Sequence, residues 1–187
     1  MHTAPASINA LEPRHWLPRV SIASQWLSVL TLGLMAGFFA TYSVNVNLAT
    51  QELDGPTYAL VQSAFNRNVR HALFFAFFFG PVPLSLVALV AGWAPQQPWW
   101  RLTTLVLLTY ALGIVVFTRE VNLPLNRLTE SWSAATLPAD WQHTRDAWNR
   151  ANAWRSVLTL GLFVAALLAL SWRLRAPHHS ATRRATP

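Results

Sequence analysis

Ser156–Trp172 reads SVLTLGLFVAALLALSW, seventeen residues without one ionisable side chain, with Arg155 and Arg173 at its two borders. A bilayer takes about 20 helical residues to cross. Three more stretches of this kind precede it, at about Ile22–Val46, His71–Trp93 and Leu102–Thr118. The composition agrees. Of 187 residues, 53% are hydrophobic and only 11% charged, whereas a soluble domain carries about a quarter. The chain therefore reads as an all-α integral membrane protein, an up-down bundle of four helices. Its membrane domain is expected over residues 21–174. The flanking segments 1–20 and 175–187, rich in Pro, Ser, Thr, His and Arg, read as disordered. The first apolar run is preceded by about twenty polar residues, so it is not read as a cleaved leader.

All fourteen basic residues are Arg, and the net charge is +7. The Arg residues border the apolar runs and form no continuous stripe, so nucleic acid is not an expected partner. With no Cys, disulfides, thiol catalysis and thiolate metal sites are excluded. With no Lys, so is Schiff-base chemistry. Neither a Gly-rich phosphate loop nor a Ser-centred nucleophile elbow is present. Four spans put both termini on one side, and seven Arg fall on each side. Six of the seven acids lie with the two long loops, which breaks the tie. The expected placement is the inner (plasma) membrane with both termini cytoplasmic.

The eight-residue connection Ala94–Arg101 makes the second and third spans antiparallel neighbours. The long loops should hold helix over Thr57–Asn68, and the fourth helix should begin near Ala139. Inside the second span, Gly80-Pro81-Val82-Pro83 should bend the helix. The bend is either a packing adjustment or the roof of a cavity.

Eight of the nine Asn sit at the loop ends of the spans: Asn45, Asn47, Asn66, Asn68, Asn122, Asn126, Asn149 and Asn152. Asn is costly in lipid unless a partner satisfies it. Helical spacing puts Arg67, Asn68 and His71 on one face, and Asn149, Asn152 and Arg155 on another. One reading is a shared polar pocket. The other is ordinary helix capping, with Arg and Trp as interface anchors, which accounts for Trp93, Trp99, Trp100, Trp172, Arg70 and Arg173. The two halves also look alike. Each runs helix, Val-Asn exit, loop, aromatic-Asn-Arg entry, helix. A parallel two-fold hairpin repeat would pair Asn45 with Asn122, and Asn66-Arg67 with Asn149-Arg150. Chance similarity of membrane-edge segments is the alternative.

Three segments resemble the DUF1772 family: Gly37 to Asn47, Leu53 to Tyr58 and Asn66 to His71. So do Thr118 to Asn126 and Trp148 to Arg155. The resemblance covers about residues 22–172, and the family includes fungal anthrone oxygenases. It implies a four-span membrane fold and an oxygenase acting on a flat, lipophilic phenolic or anthrone-like compound. It also implies no cofactor beyond dioxygen as co-substrate. Such chemistry needs a base for an acidic methylene and donors for the resulting oxyanion. His71, whose ordinary pKa lies near neutrality, is the expected base. Asn45, Arg67, Asn68, Arg119, Asn122, Asn126, Trp148, Asn149, Asn152 and Arg155 are the expected substrate-binding residues. The expected partners are a lipophilic small molecule and membrane lipid, with an oligomer left open. Two other classes stay open: a non-catalytic binder of a lipid, quinone or ion, and a metal- or haem-dependent oxidoreductase with His71 as ligand. No metal motif supports the last.

Overall fold

The computed structural model describes residues 16–176, all of whose regular elements are helical. Helix α1 runs over Leu17–Gln51. After Asp54 come α2 (Gly55–Asn68), α3 (Ala72–Phe79) and α4 (Pro81–Ala91). Helix α5 covers Pro98–Glu130 and α6 covers Trp141–Arg175. Three helices are thus long and apolar enough to span, and α3 with α4 makes a fourth span bent by 44°. The protein is a membrane helical bundle. The helices reach into the segments expected to be disordered, since α1 already runs at Leu17 and α6 continues to Arg175. Residues 1–15 and 177–187 lie outside the described part.

At 1.5 Å per residue, α1 and α6, 35 residues each, are about 52 Å long. That exceeds the roughly 30 Å hydrocarbon layer. Most of the extra turns of α6 precede its apolar run, at the end bearing the two long loops, hereafter the loop end. Leu30, Leu86, Leu112, Val157 and Leu160 are exposed on the outside of the bundle, a surface suited to lipid.

Small polar residues bring the helices together inside. Ser28 and Ser85 share a hydrogen bond of 2.8 Å, and Ser21 Oγ donates to the Ala88 carbonyl at 2.6 Å. Gln25 Nε2 donates to Thr103 at 3.2 Å. Arg173 donates to Gln25 Oε1 and Ser21 Oγ, with Trp99 under its guanidinium at 4.2 Å. Arg173 and Trp99 are therefore interhelical ties rather than the interface anchors expected. Leu32, Met35, Phe39, Tyr110 and Ile114 fill the centre. At the bend, Tyr110 Oη donates to the Phe78 carbonyl at 2.9 Å. A Cβ on Gly80 would meet Thr31 at 3.3 Å. The bend is packed against α1 and α5, which is the packing reading.

At the loop end α2 lies on the last turns of α5 and the start of α6. Asp54 caps α2, accepting from the Thr57 amide at 2.8 Å. Tyr58, fully buried, lies against the Trp141 ring, with ring centres 5.3 Å apart. α6 starts at Trp141, two residues beyond the expected Ala139.

Candidate functional site

Three helices build one buried polar network below the loop end. From α6, Asn152 Nδ2 donates to Ser43 Oγ at 2.9 Å and to the Phe39 carbonyl at 3.3 Å, both on α1. Ser156 Oγ donates to the same carbonyl at 2.7 Å and lies 2.8 Å from Ser43 Oγ. Arg155 donates to Asn152 Oδ1 at 2.9 Å and reaches Thr118 Oγ1 on α5 at 3.5 Å. Its guanidinium stands 4.5 Å from the Phe39 ring centre and 5.8 Å from that of Trp148. Trp148 Nε1 donates to Asn126 Oδ1 on α5 at 2.7 Å, and Tyr42 lies against the Trp148 ring at 5.6 Å. Helical spacing explains the arrangement. Trp148, Asn152, Arg155, Ser156 and Thr159 recur at intervals of three and four, and all are buried.

The backbone adapts to hold this seam. Among the described residues there are three π-helical turns, Tyr42–Val46 in α1 and both Ala111–Val116 and Thr118–Asn122 in α5. Two of them border the network directly, through Tyr42, Ser43, Thr118 and Asn122. Such turns are frequent at functional sites.

Several buried polar atoms in this region lack a protein partner: both amide atoms of Asn122, Asn149 Nδ2, Arg155 Nε and Thr159 Oγ1. Asn122 is 1% exposed. Unpartnered polar atoms at this depth call for water or a ligand.

The expected residues divide into two groups. Asn122, Asn126, Trp148, Asn152 and Arg155 occupy the α5–α6 seam, with Asn149 beside them. The others lie elsewhere. Asn45 and Asn68 are exposed. Arg119 is exposed and pairs with its neighbour Glu120 at 3.3 Å. Arg67 lines a separate surface groove of about 520 Å³ with Pro56, Leu60, Glu130 and Trp132. His71 is exposed and is the N-cap of α3, its Nδ1 accepting from the Phe74 amide at 3.3 Å. That bond leaves the ring proton on Nε2 in the neutral form, so neither nitrogen offers a free lone pair. The shared face expected for Arg67, Asn68 and His71 fails for a local reason. The helix stops at Asn68 and restarts at Ala72, so its periodicity does not carry across.

A second polar group ties α2 to α5. Asn66 Nδ2 donates to Thr129 Oγ1 at 3.2 Å, Gln62 donates to Asn66 at 2.9 Å, and Arg70 pairs with Glu130. Burial pushes the Tyr58 hydroxyl above its ordinary pKa, with Arg145 opposing. The Asp54 carboxyl sits below its ordinary value through its hydrogen bonds from Thr57. Among the described residues no group of three His, Cys, Asp or Glu is placed to hold a metal ion.

A family model described as anthrone oxygenase matches residues 72–181. The chain belongs to the anthrone oxygenase family. No curated protein and no solved structure matches it. The anthrone oxygenase match takes in α3 to α6, hence Thr118, Asn122, Asn126, Trp148, Asn152 and Arg155. It begins one residue after His71 and does not include the α1 motif of the resemblance. Membership supports a membrane oxygenase-like role.

Sequence reasoning missed Ser43, Thr118, Ser156 and Tyr42. A signal existed for Ser156, which stands four residues after Asn152 on the same face. Ser43 and Tyr42 fall within a π turn, where a period of 3.6 does not apply. The two halves match in one respect, a π turn containing a Val-Asn pair. They differ in others. Asn45 is exposed where Asn122 is buried, and α6 is continuous where α2 and α3 are separate.

Proposed function

We propose that the protein is a membrane oxygenase that oxidises a flat, lipophilic phenolic or anthrone-like compound with dioxygen in the α5–α6 seam. The observation that carries this is the buried Arg155, set between aromatic rings in a region where amide atoms of Asn122 and Asn149 lack a partner. A flat ring system would lie against Trp148 and Tyr42. Its oxygen atoms would accept from Arg155 and the two amides. In the net reaction the methylene carbon gains one oxygen atom and loses two hydrogens, which leave with the second oxygen atom as water. No prosthetic group is part of this reading. The substrate would arrive by partition from the bilayer. The excess of acids on the long loops argues for cytoplasmic termini in a plasma membrane.

The test is oxygen uptake by the purified protein in detergent with anthrone, alongside the anthraquinone formed. Uptake matching quinone formation, and lost in Arg155→Met, is the expected result. Retention of anthrone without uptake would favour the binding-protein reading, which the absence of a carboxylate or His in the seam also favours.

A further inference from the structure

Arg155 is 7% exposed at a depth where three helices close around it. The ion pairs among the described residues are Arg70–Glu130, Arg119–Glu120 and Arg145–Asp146, and none includes it. Its two hydrogen bonds go to neutral acceptors, and Nε has no partner. The titratable groups facing it are Tyr42 on α1 and Tyr110 on α5, both phenols; α3 and α4 carry no titratable residue. On α6 the nearest acid, Asp146, is about two and a half turns away and is held by Arg145. The rings of Phe39 and Trp148 attract the cation without neutralising it. A cation enclosed within a membrane bundle without a counter-charge is costly.

We infer that the counter-ion of Arg155 is the ligand itself: the seam binds an organic oxyanion, and an acidic phenol or anthrone gives up its proton on entering. This rests on the proposed oxygenase reading and adds the ionisation state of the bound compound. A neutral ligand would leave the Arg155 charge uncompensated. An anion completes an ion pair with hydrogen bonds from Nε and a terminal nitrogen, which favours the charged form. The O–H or C–H bond of the ligand breaks heterolytically. The electron pair stays on the ligand and the proton passes to water at the loop end. Arg155 remains protonated throughout. No side-chain base is then required, which accords with a seam that holds neither His nor carboxylate. The flat aromatic walls select a ring-bearing oxyanion over a small inorganic one.

The probe is alizarin, a dihydroxyanthraquinone whose visible band changes on ionisation, titrated with the full-length protein in dodecyl maltoside. The bound dye should ionise about one pH unit or more below its midpoint in protein-free micelles, tenfold or more in ionisation constant. Arg155→Met should abolish the shift, Arg155→Lys should keep part of it, and Arg150→Met should leave it in place. Circular dichroism checks that each variant is folded, and the wild-type titration stands without them. A bound dye that ionises at or above the micellar midpoint overturns the inference, as does a dye that does not bind beyond the micelles. Displacement by phosphatidylglycerol but not phosphatidylcholine would make the oxyanion a lipid headgroup and overturn the phenolate assignment. Oxygen uptake separates the two ideas. Uptake with an unshifted dye overturns the anion inference alone, and a shift without uptake overturns the oxygenase reading alone.

Discussion

Asn152→Leu should destabilise the protein by about 3 kcal/mol, and most of that loss should disappear when Arg155 is absent. Asn152 makes three side-chain hydrogen bonds. Two are neutral, to the Phe39 carbonyl and Ser43. Interhelical bonds of this kind average about 0.6 kcal/mol in membrane proteins. Both partners keep Ser156 as an alternative, so together these bonds contribute no more than about 1.2 kcal/mol. The third is charge-assisted, from Arg155 at 2.9 Å, and falls in the class of about 1.5–3 kcal/mol. Leucine keeps the branched heavy-atom skeleton of asparagine and is no smaller, so no cavity opens. In an Arg155→Met background the third contribution is already gone, and Asn152→Leu should cost about 1 kcal/mol. The coupling is therefore about 2 kcal/mol. Unfolding by dodecyl sulfate in mixed micelles, followed by circular dichroism, would measure all four corners of the cycle. Asn45→Leu, at an exposed position, is the control and should stay within about 0.5 kcal/mol. A cost for Asn152→Leu that is the same with and without Arg155 would refute the reasoning, because the amide would then not be holding the guanidinium.

His71→Ala should lower stability by about 0.5–2 kcal/mol through loss of the α3 cap, while oxygen uptake with anthrone persists; abolished uptake at an unchanged melt would reinstate His71 as the base. Gly55→Ala should loosen α2, since a Cβ there meets Leu137 and lies 2.8 Å from Trp141 Nε1; faster amide exchange confined to residues 55–68 is the readout, and unchanged exchange counts against the packing. The Asp54 carboxyl is held below its ordinary value, so its contribution to α2 is present above the ordinary carboxylate range and is lost as pH falls through the depressed folded value. Asp54→Asn should keep the cap and flatten that acid dependence of α2 exchange. Tyr110→Phe should cost about 1 kcal/mol by freeing the Phe78 carbonyl at the bend, seen as a lowered melting temperature.

The spans were legible because lipid imposes one demand on every position of a helix exterior, and Ser156–Trp172 meets it. The α6 half of the site was legible for a related reason. Asn149, Asn152 and Arg155 lie on an uninterrupted helix, so their spacing translates directly into a shared face. His71 was not legible in the same way. Its spacing from Arg67 has meaning only if the helix continues, and the break at Val69–His71 removes that condition. Asn66, which the repeat would pair with Asn149, bonds Thr129, a pairing over sixty residues that no local pattern encodes. Gln25 and Arg173, which meet across most of the chain's length, show the same thing at the opposite end of the bundle.

The consecutive π turns of α5 have an evolutionary consequence. Each accommodates about one residue more than an α turn would. Removing one such residue would let the helix continue unbroken, but would rotate everything beyond it by about 100°. Asn126 would swing off Trp148, and Thr129 would leave Asn66, without any change in hydropathy. A homologue shortened by a single residue here would therefore keep its membrane topology and lose this seam, unless its polar residues had moved one place along the chain. Among homologues, helix phase rather than column position would then decide which Asn is equivalent to which.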